Sequence, residues 1–264
     1  MSERESIKVI YDGAIVRLVL NRPKQLNALN DDIRKVIAST LNDLMERPDI
    51  RLLVLSAEGK SFCSGADLKT TSYPRVEGDW STRRNRTATW QQVLEQLDRI
   101  PQVTIASMQG HVVGGGALLA TACDFRVISE DTVFRIPELA LGIPNVWNGT
   151  PLLAREVGLP TARDWVMTAR KVLAPELKQS GWAQRIAAQD MLTGETNQLI
   201  SELLDIPPAS LAMTRSMTSA LGRSSAGMAM GWADADLQQW AFTEDEYKET
   251  VRSYSSKVGR KSKR

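Results

Sequence analysis

The chain has 264 residues, of which 42% are apolar and 24% charged. That length suits one main domain with an appendage and is enough to bury a sizeable core. A formal net charge of +2 gives no case for a nucleic-acid partner, no apolar run is long enough to span a bilayer, and a single histidine, His111, excludes chemistry that needs two and leaves little material for a zinc or iron site.

In chain order, Ile7–Ile10 and Ile15–Leu20 read as two strands, and Asp12-Gly13 between them is a hairpin signal. Asn21-Arg22-Pro23 stops the second strand. Asn30 or Asp31 caps a helix that runs to about Glu46, with Ile33, Ile37, Leu41 and Leu44 on one face. Leu52–Ser56 is a short, continuous apolar strand, and the glycine turn Ser61–Lys69 follows it. Thr70–Trp80 has no periodicity and is expected to be a mobile loop. A helix returns over Thr82–Arg99, with Trp90, Val93, Leu94 and Leu97 apolar, and Pro101 ends it. Val103–Met108 is the next strand, followed by the turn Gly110–Gly116, a helix to about Cys123 and a strand over Phe125–Ser129.

This alternation implies a parallel sheet with crossover helices. After Pro160 helix-like runs dominate: Thr161–Arg170, Pro175–Ser180, Asn197–Leu204, Pro208–Ala220 and Ala226–Tyr254. The expected division is an α/β core over residues 1–200, a helical oligomerisation or lid region over 201–256 and a basic, disordered tail over 257–264. The only cysteines, Cys63 and Cys123, lack metal spacing, and no signal peptide opens the chain; both are expected to be reduced, in the cytoplasm.

The two glycine turns carry the chemistry. Each follows an apolar strand and reads as opening a helix, where backbone N–H groups have no intrahelical acceptor. Two such junctions can aim two donors at one oxygen, the arrangement that stabilises negative charge on a carbonyl. Glycines there also suit tight turns and close packing, which either junction alone would not distinguish.

The motifs Leu20–Leu29 (LNRPKQLNAL), Phe62–Lys69 (FCSGADLK), Ile105–Gly116 (IASMQGHVVGGG), Cys123-Asp124-Phe125 and Pro137–Pro144 (PELALGIP) occur in the order and spacing of the crotonase, or enoyl-CoA hydratase/isomerase, superfamily, which the first 160 residues resemble. The resemblance implies a crotonase-like α/β fold, a spiral of ββα turns with a helical C-terminal trimerisation region. It implies a CoA thioester as substrate, no further cofactor or metal, and a homotrimer or dimer of trimers. It assigns the oxyanion donors to the backbone N–H groups of Ala66 and Gly115. It assigns CoA and substrate contacts to Lys24, Gln25, Leu26, Ser64, Ala66, Asp67 and Leu68.

Hydratases of that family carry two catalytic glutamates. Glu138 fills one place, and Leu118 stands in the other. A leucine neither takes a proton nor orients a water. The remaining carboxylate suffices for a proton shuttle that moves a double bond, with Glu138 raised in pKa by Ile136, Leu139, Leu118 and Trp147. Asn145, Trp147 and Asn148 occupy a loop that is glycine-rich in many relatives and lines the acyl pocket there. They can orient a water or a polar acyl group, or simply begin a helix around a core tryptophan. The E-x-x-x-G-I-P spacing is similar to that of hydroxycinnamoyl-CoA hydratase-lyases. Double-bond isomerisation is therefore the leading expectation. Hydration, hydration with carbon–carbon cleavage of an aromatic or branched acyl-CoA, and acyl-CoA binding without turnover are the alternatives. Cys63 reads as a small buried apolar residue, His111 as a satisfied histidine packed near the subunit interface, and Asp67 as a turn residue.

Overall fold

The computed structural model describes residues 6–67, 78–225, 231 and 233–261. Strand and helix alternate as β1 (Ile7–Asp12), β2 (Ile15–Leu20), α1 (Asp31–Met45), β3 (Leu52–Ala57), α2 (Trp80–Arg99), β4 (Val103–Met108), β5 (His111–Val113), α3 (Gly115–Thr121), β6 (Phe125–Ser129) and β7 (Val133–Arg135). Then come α4 (Gly149–Thr168), β8 (Val172–Leu173), α5 (Ala174–Gln179), β9 (Arg185–Ala187), α6 (Leu192–Asp205), α7 (Pro208–Ser225), α8 (Asp234–Thr243) and α9 (Asp245–Lys261).

The hairpin forms at Asp12-Gly13, where Gly13 takes φ +54°, and β1 runs antiparallel to β2 with Ile7 opposite Leu20. From β2 onward every pair is parallel, in the order β1-β2-β3-β4-β6-β9. Both faces of this sheet are covered. Val16, Leu18, Leu53 and Leu55 pack with Ile33, Ile37, Leu41 and Leu44 of α1 and Val93, Leu94 and Leu97 of α2. Ile15, Leu52, Val54, Val103, Ile105 and Val127 face the other way, onto Leu192, Leu199, Ile200 and Leu203 of α6. Burial on both sides explains why β3 reads as a continuous apolar run without alternation. Residue 200, where the sequence reading ends the core, therefore lies inside a helix that belongs to it.

Asn30 makes the cap expected at Asn30 or Asp31, and Asp79 caps α2, which starts at Trp80, two residues before the expected Thr82. Asn30 Oδ1 accepts from Ile33 N–H at 3.0 Å, and Asp79 Oδ1 accepts from Thr82 N–H at 2.8 Å. Four short strands differ from the sequence expectation. β5 lies inside the expected glycine turn, and β7, β8 and β9 are two or three residues long, too short for periodicity to register. β5, β7 and β8 form a second sheet. His111 sits on β5 and is exposed on the single chain. The run expected as one helix to Tyr254 is two, broken at Glu244. Helix α9 continues to Lys261, so most of the expected tail has helical backbone. The loop expected over Thr70–Trp80 falls almost wholly outside the described residues. No described helix is long and apolar enough to cross a membrane.

One buried cation fastens the C-terminal end of α3. Arg126 is fully buried and donates to Cys123 O at 2.5 Å, to Trp182 O, and to Glu156 Oε2 at 2.5 Å. It thereby satisfies a carbonyl beyond the end of α3, the helix that starts at the second glycine turn.

Candidate active site

The small second sheet brings three distant segments together. Cys63 N–H donates to His111 O at 2.8 Å and Val113 N–H returns to Cys63 O at 3.0 Å, tying residues 61–67 to β5. Gly114 N–H donates to Arg135 O at 3.0 Å, which ties the second glycine turn to the strand that leads into Glu138. On its other side the first turn is bonded to the segment after β2: Leu29 N–H donates to Gly65 O and Asp67 N–H to Leu29 O, both at 2.8 Å. Asn27 anchors that segment. It is fully buried at φ +54°, with Oδ1 accepting from Arg22 N–H and Nδ2 donating to Glu58 O and Ser61 O. Residues 61–67 are thus an extended bridge, and any helix after them lies outside the described residues.

This lacing leaves two donors over. In the parallel bridge Leu29–Ala66 the Ala66 N–H is the group the ladder skips, and Gly115 is the first residue of α3. Neither N–H has an acceptor among the described residues. Both residues line one cleft of about 100 Å³, together with Glu138, Leu118, Trp147 and Asn145.

Glu138 enters that cleft beside the second glycine turn: a Cβ on Gly114 would lie 2.9 Å from Glu138 Oε1. Its Oε2 is buried without a hydrogen-bond partner. Burial among apolar groups pushes its pKa up to about 7, against the lowering effects of a backbone hydrogen bond and the Arg135 charge. The apolar wall is Leu118, Leu141, Ile143 and Val146. Leu139, expected in that wall, is instead 38% exposed, and Ile136 is in the core.

The predicted residues divide. Ser64, Ala66, Gly115, Leu118, Glu138, Asn145 and Trp147 share the cleft. Lys24 and Gln25 are exposed on a 3-10 turn outside it, and Leu26, at φ +48°, accepts from Ser64 N–H at 3.0 Å. Asp67 is buried in an ion pair with Arg22 at 2.8 Å, so it fastens the loop. Leu68 lies outside the described residues. Asn148 does not line the cleft. Its Nδ2 donates to Glu95 at 3.0 Å, and its N–H donates to Asp234 at 2.7 Å, so it ties the loop to α2 and α8. It makes no side-chain cap for α4. Trp147 stacks on Trp90 with ring centroids 5.7 Å apart, and its ring presses on Gly115, where a Cβ would be 2.8 Å from it. Cys63 is buried, its thiol pushed up to about 12 by burial, and is no nucleophile.

Sequence reasoning missed Gln238 of α8, which lines the cleft and is 3% exposed. Its signal was a glutamine at the spacing of the buried positions Ala235 and Ala241. Helix α9 closes the same side: Tyr247 lies against Gly142, where an added Cβ would be 3.2 Å from Tyr247 Cα. The C-terminal helices thus cover the site of their own chain.

A family model described as enoyl-CoA hydratase/isomerase matches residues 11–262. The chain is 32% identical over 190 residues to a peroxisomal Delta(3,5)-Delta(2,4)-dienoyl-CoA isomerase of Arabidopsis thaliana, covering 69% of this chain and 68% of that one. It is 27% identical over 255 residues to a crotonyl-CoA hydratase of Syntrophomonas wolfei, covering 96% of both. An enoyl-CoA hydratase/isomerase from Mycobacterium paratuberculosis superposes with a TM-score of 0.86 at 21% identity, over 96% of this chain and 100% of that one, which shows the shared fold. A Thermobifida fusca protein whose crystal structure is in complex with CoA superposes with a TM-score of 0.74 at 29% identity, over 86% and 93% of the two chains.

Proposed function

The chain belongs to the enoyl-CoA hydratase/isomerase family, and on that premise we propose that it moves the double bond of an unsaturated acyl-CoA, with Glu138 alone as acid and base. One observation carries the reading. The cleft that holds Glu138, raised in pKa to about 7, also holds two unclaimed backbone N–H groups, and has Leu118 where a second carboxylate would be needed for hydration.

The steps follow from these groups. The Glu138 carboxylate removes a proton from C2 of a 3-enoyl-CoA, and the electrons spread onto the thioester oxygen as a dienolate. That oxygen accepts hydrogen bonds from Ala66 N–H and Gly115 N–H. The Glu138 carboxylic acid then returns the proton to C4, giving the 2-enoyl-CoA. No electrons are gained or lost overall, so the step needs no cofactor. A carboxyl with a pKa near 7 suits both halves, because it gives up and takes back a proton at similar cost near neutrality. The CoA moiety is supported by the CoA complex of the Thermobifida fusca protein. Exposed Lys24 and Gln25, with Ser64, are the proposed outer contacts.

Hydration and hydration with cleavage remain the second reading, favoured by the unused amide oxygen of Asn145 in the same cleft. The test is incubation of the protein in deuterated water with a 3-enoyl-CoA, a 2-enoyl-CoA and a hydroxycinnamoyl-CoA, followed by mass and ultraviolet spectra. Conversion of the 3-enoyl to the 2-enoyl thioester without gain of water is expected. Gain of water or release of an aldehyde would replace isomerisation by the second reading. Tight binding with no mass change and no deuterium uptake would make the chain a binding protein.

We also propose a homotrimer or dimer of trimers. Its support is an apolar stripe on α7, where Met213, Met217 and Leu221 recur every fourth residue at 66%, 71% and 68% exposure. Light scattering is expected to give three or six times the 29.2 kDa chain mass, and Met217→Glu to give monomer. A monomeric parent protein would dismiss the stripe as an interface.

A further inference from the structure

Eight buried side-chain nitrogen or oxygen atoms lack a hydrogen-bond partner among the described residues. Four of them belong to Glu138, Asn145, Trp147 and Gln238, residues that line the same cleft. Orphaned buried polar atoms are rare because each loses its hydration without replacement. Their concentration on residues around one small cavity is what a bound polar group could satisfy. The proton shuttle accounts for Glu138 and leaves the other three unexplained.

Those three differ in kind. The indole Nε1–H of Trp147 only donates, and the amide oxygens of Asn145 and Gln238 only accept. Each is held in place. Trp147 has φ +61°, a backbone conformation that a bulky side chain rarely adopts, and it is fixed there by stacking on Trp90 and by the Asn148 bonds to Glu95 and Asp234. Asn145 Nδ2 donates to Thr150 Oγ1 at 3.2 Å, which leaves its Oδ1 as the unused end. Gln238 comes from α8, the helix that covers the site.

A plain hydrocarbon chain would leave all three unpaired. An acyl carboxylate would meet no Lys or Arg among the described lining residues and would lie near Glu138. A neutral hydroxyl both donates and accepts, and so fits. Resting on the acyl-CoA reading above, we infer that the preferred acyl group carries a neutral hydroxyl, whose O–H donates to the amide oxygen of Asn145 or Gln238 and whose oxygen accepts from Trp147 Nε1–H. These residues would then set specificity, beyond the proton transfer itself.

Calorimetric titration with unreactive, saturated thioesters tests this without needing turnover. The probes are hexanoyl-CoA against its 4-, 5- and 6-hydroxy forms, and 3-phenylpropanoyl-CoA against its para-hydroxy form, with free CoA alongside. At least one hydroxylated member is expected to bind tenfold or more tightly than its parent. Trp147→Phe, which keeps the ring and removes the N–H, and Gln238→Leu are each expected to bring that ratio close to one, with free CoA bound as by the parent protein. Hydroxylated and plain thioesters bound equally well would overturn the hydroxyl inference and leave the acyl-CoA reading standing. If neither the thioesters nor free CoA bound, the acyl-CoA reading would fail and the inference with it.

Discussion

Glu138→Gln is expected to lower kcat for double-bond migration by about 10³-fold, the middle of the range for loss of a positioned general acid–base. Glutamine keeps the shape and burial of the side chain and cannot take a proton, so KM should stay within a few-fold. In the parent protein kcat/KM should rise with pH through an apparent pKa near 7, because only the carboxylate form abstracts. The same raised pKa has a consequence for folding. Between the ordinary carboxyl value of 4.5 and about 7 the folded chain keeps a proton that the unfolded chain has released, so stability falls as pH rises across that window. Above it, the buried charge costs about 3 kcal/mol relative to the unfolded chain, taking each pKa unit as 1.36 kcal/mol. Glu138→Gln removes that cost. Its melting temperature should exceed the parent's at pH 8 and match it at pH 4, where both side chains are neutral. A variant that keeps its rate would remove Glu138 from the mechanism. Parallel melting curves across the whole range would mean that the carboxyl is not held in an apolar site.

That trade of stability for a poised base was partly legible in the chain. Long periodic elements are legible in the sequence. The apolar face of α1 and the strand β3 follow from spacing and a continuous apolar run, because burial repeats over several turns or on both faces of a sheet. The two glycine turns and Glu138 were legible as residue types and as matches to a family pattern. Their convergence was not. It depends on β5 and β7, three residues each, whose pairing is set by contacts between segments more than twenty residues apart. Nor does local sequence indicate that Asp67 pairs with Arg22 or that Asn148 holds Glu95, since each choice of partner is a tertiary event. Gln238 is the sharpest case. A glutamine at a buried helical position is a local inconsistency, and the cleft is what explains it.

Gly114→Ala should damage catalysis far more than the single methyl it adds would suggest. Gly114 sits at φ +54°, ψ −125°, a conformation suited only to glycine, immediately before the Gly115 donor. An added Cβ would also stand 2.9 Å from Glu138 Oε1. Relief requires either rotating the backbone, which turns Gly115 N–H away from the thioester oxygen, or displacing the carboxylate from the carbon it deprotonates. Loss of one oxyanion donor costs about 10²–10³ in rate, and kcat should fall by at least that much. Backbone strain should lower stability by roughly 1–3 kcal/mol. Strain alone predicts something different, and Gly13→Ala isolates it. Gly13 has the same φ of +54°, no atom within 4 Å of an added Cβ, and a place in the β1–β2 hairpin, outside the cleft. It should lose stability and keep its kcat. If Gly114→Ala lost only as much activity as Gly13→Ala, the second glycine turn would be a packing device. The negative charge on the thioester would then have to be stabilised elsewhere. A rate loss of 10² or more confined to Gly114→Ala requires that the turn hold the donor and the base in register, as the hydrogen bond from Gly114 N–H to Arg135 O, three residues before Glu138, already constrains them to be.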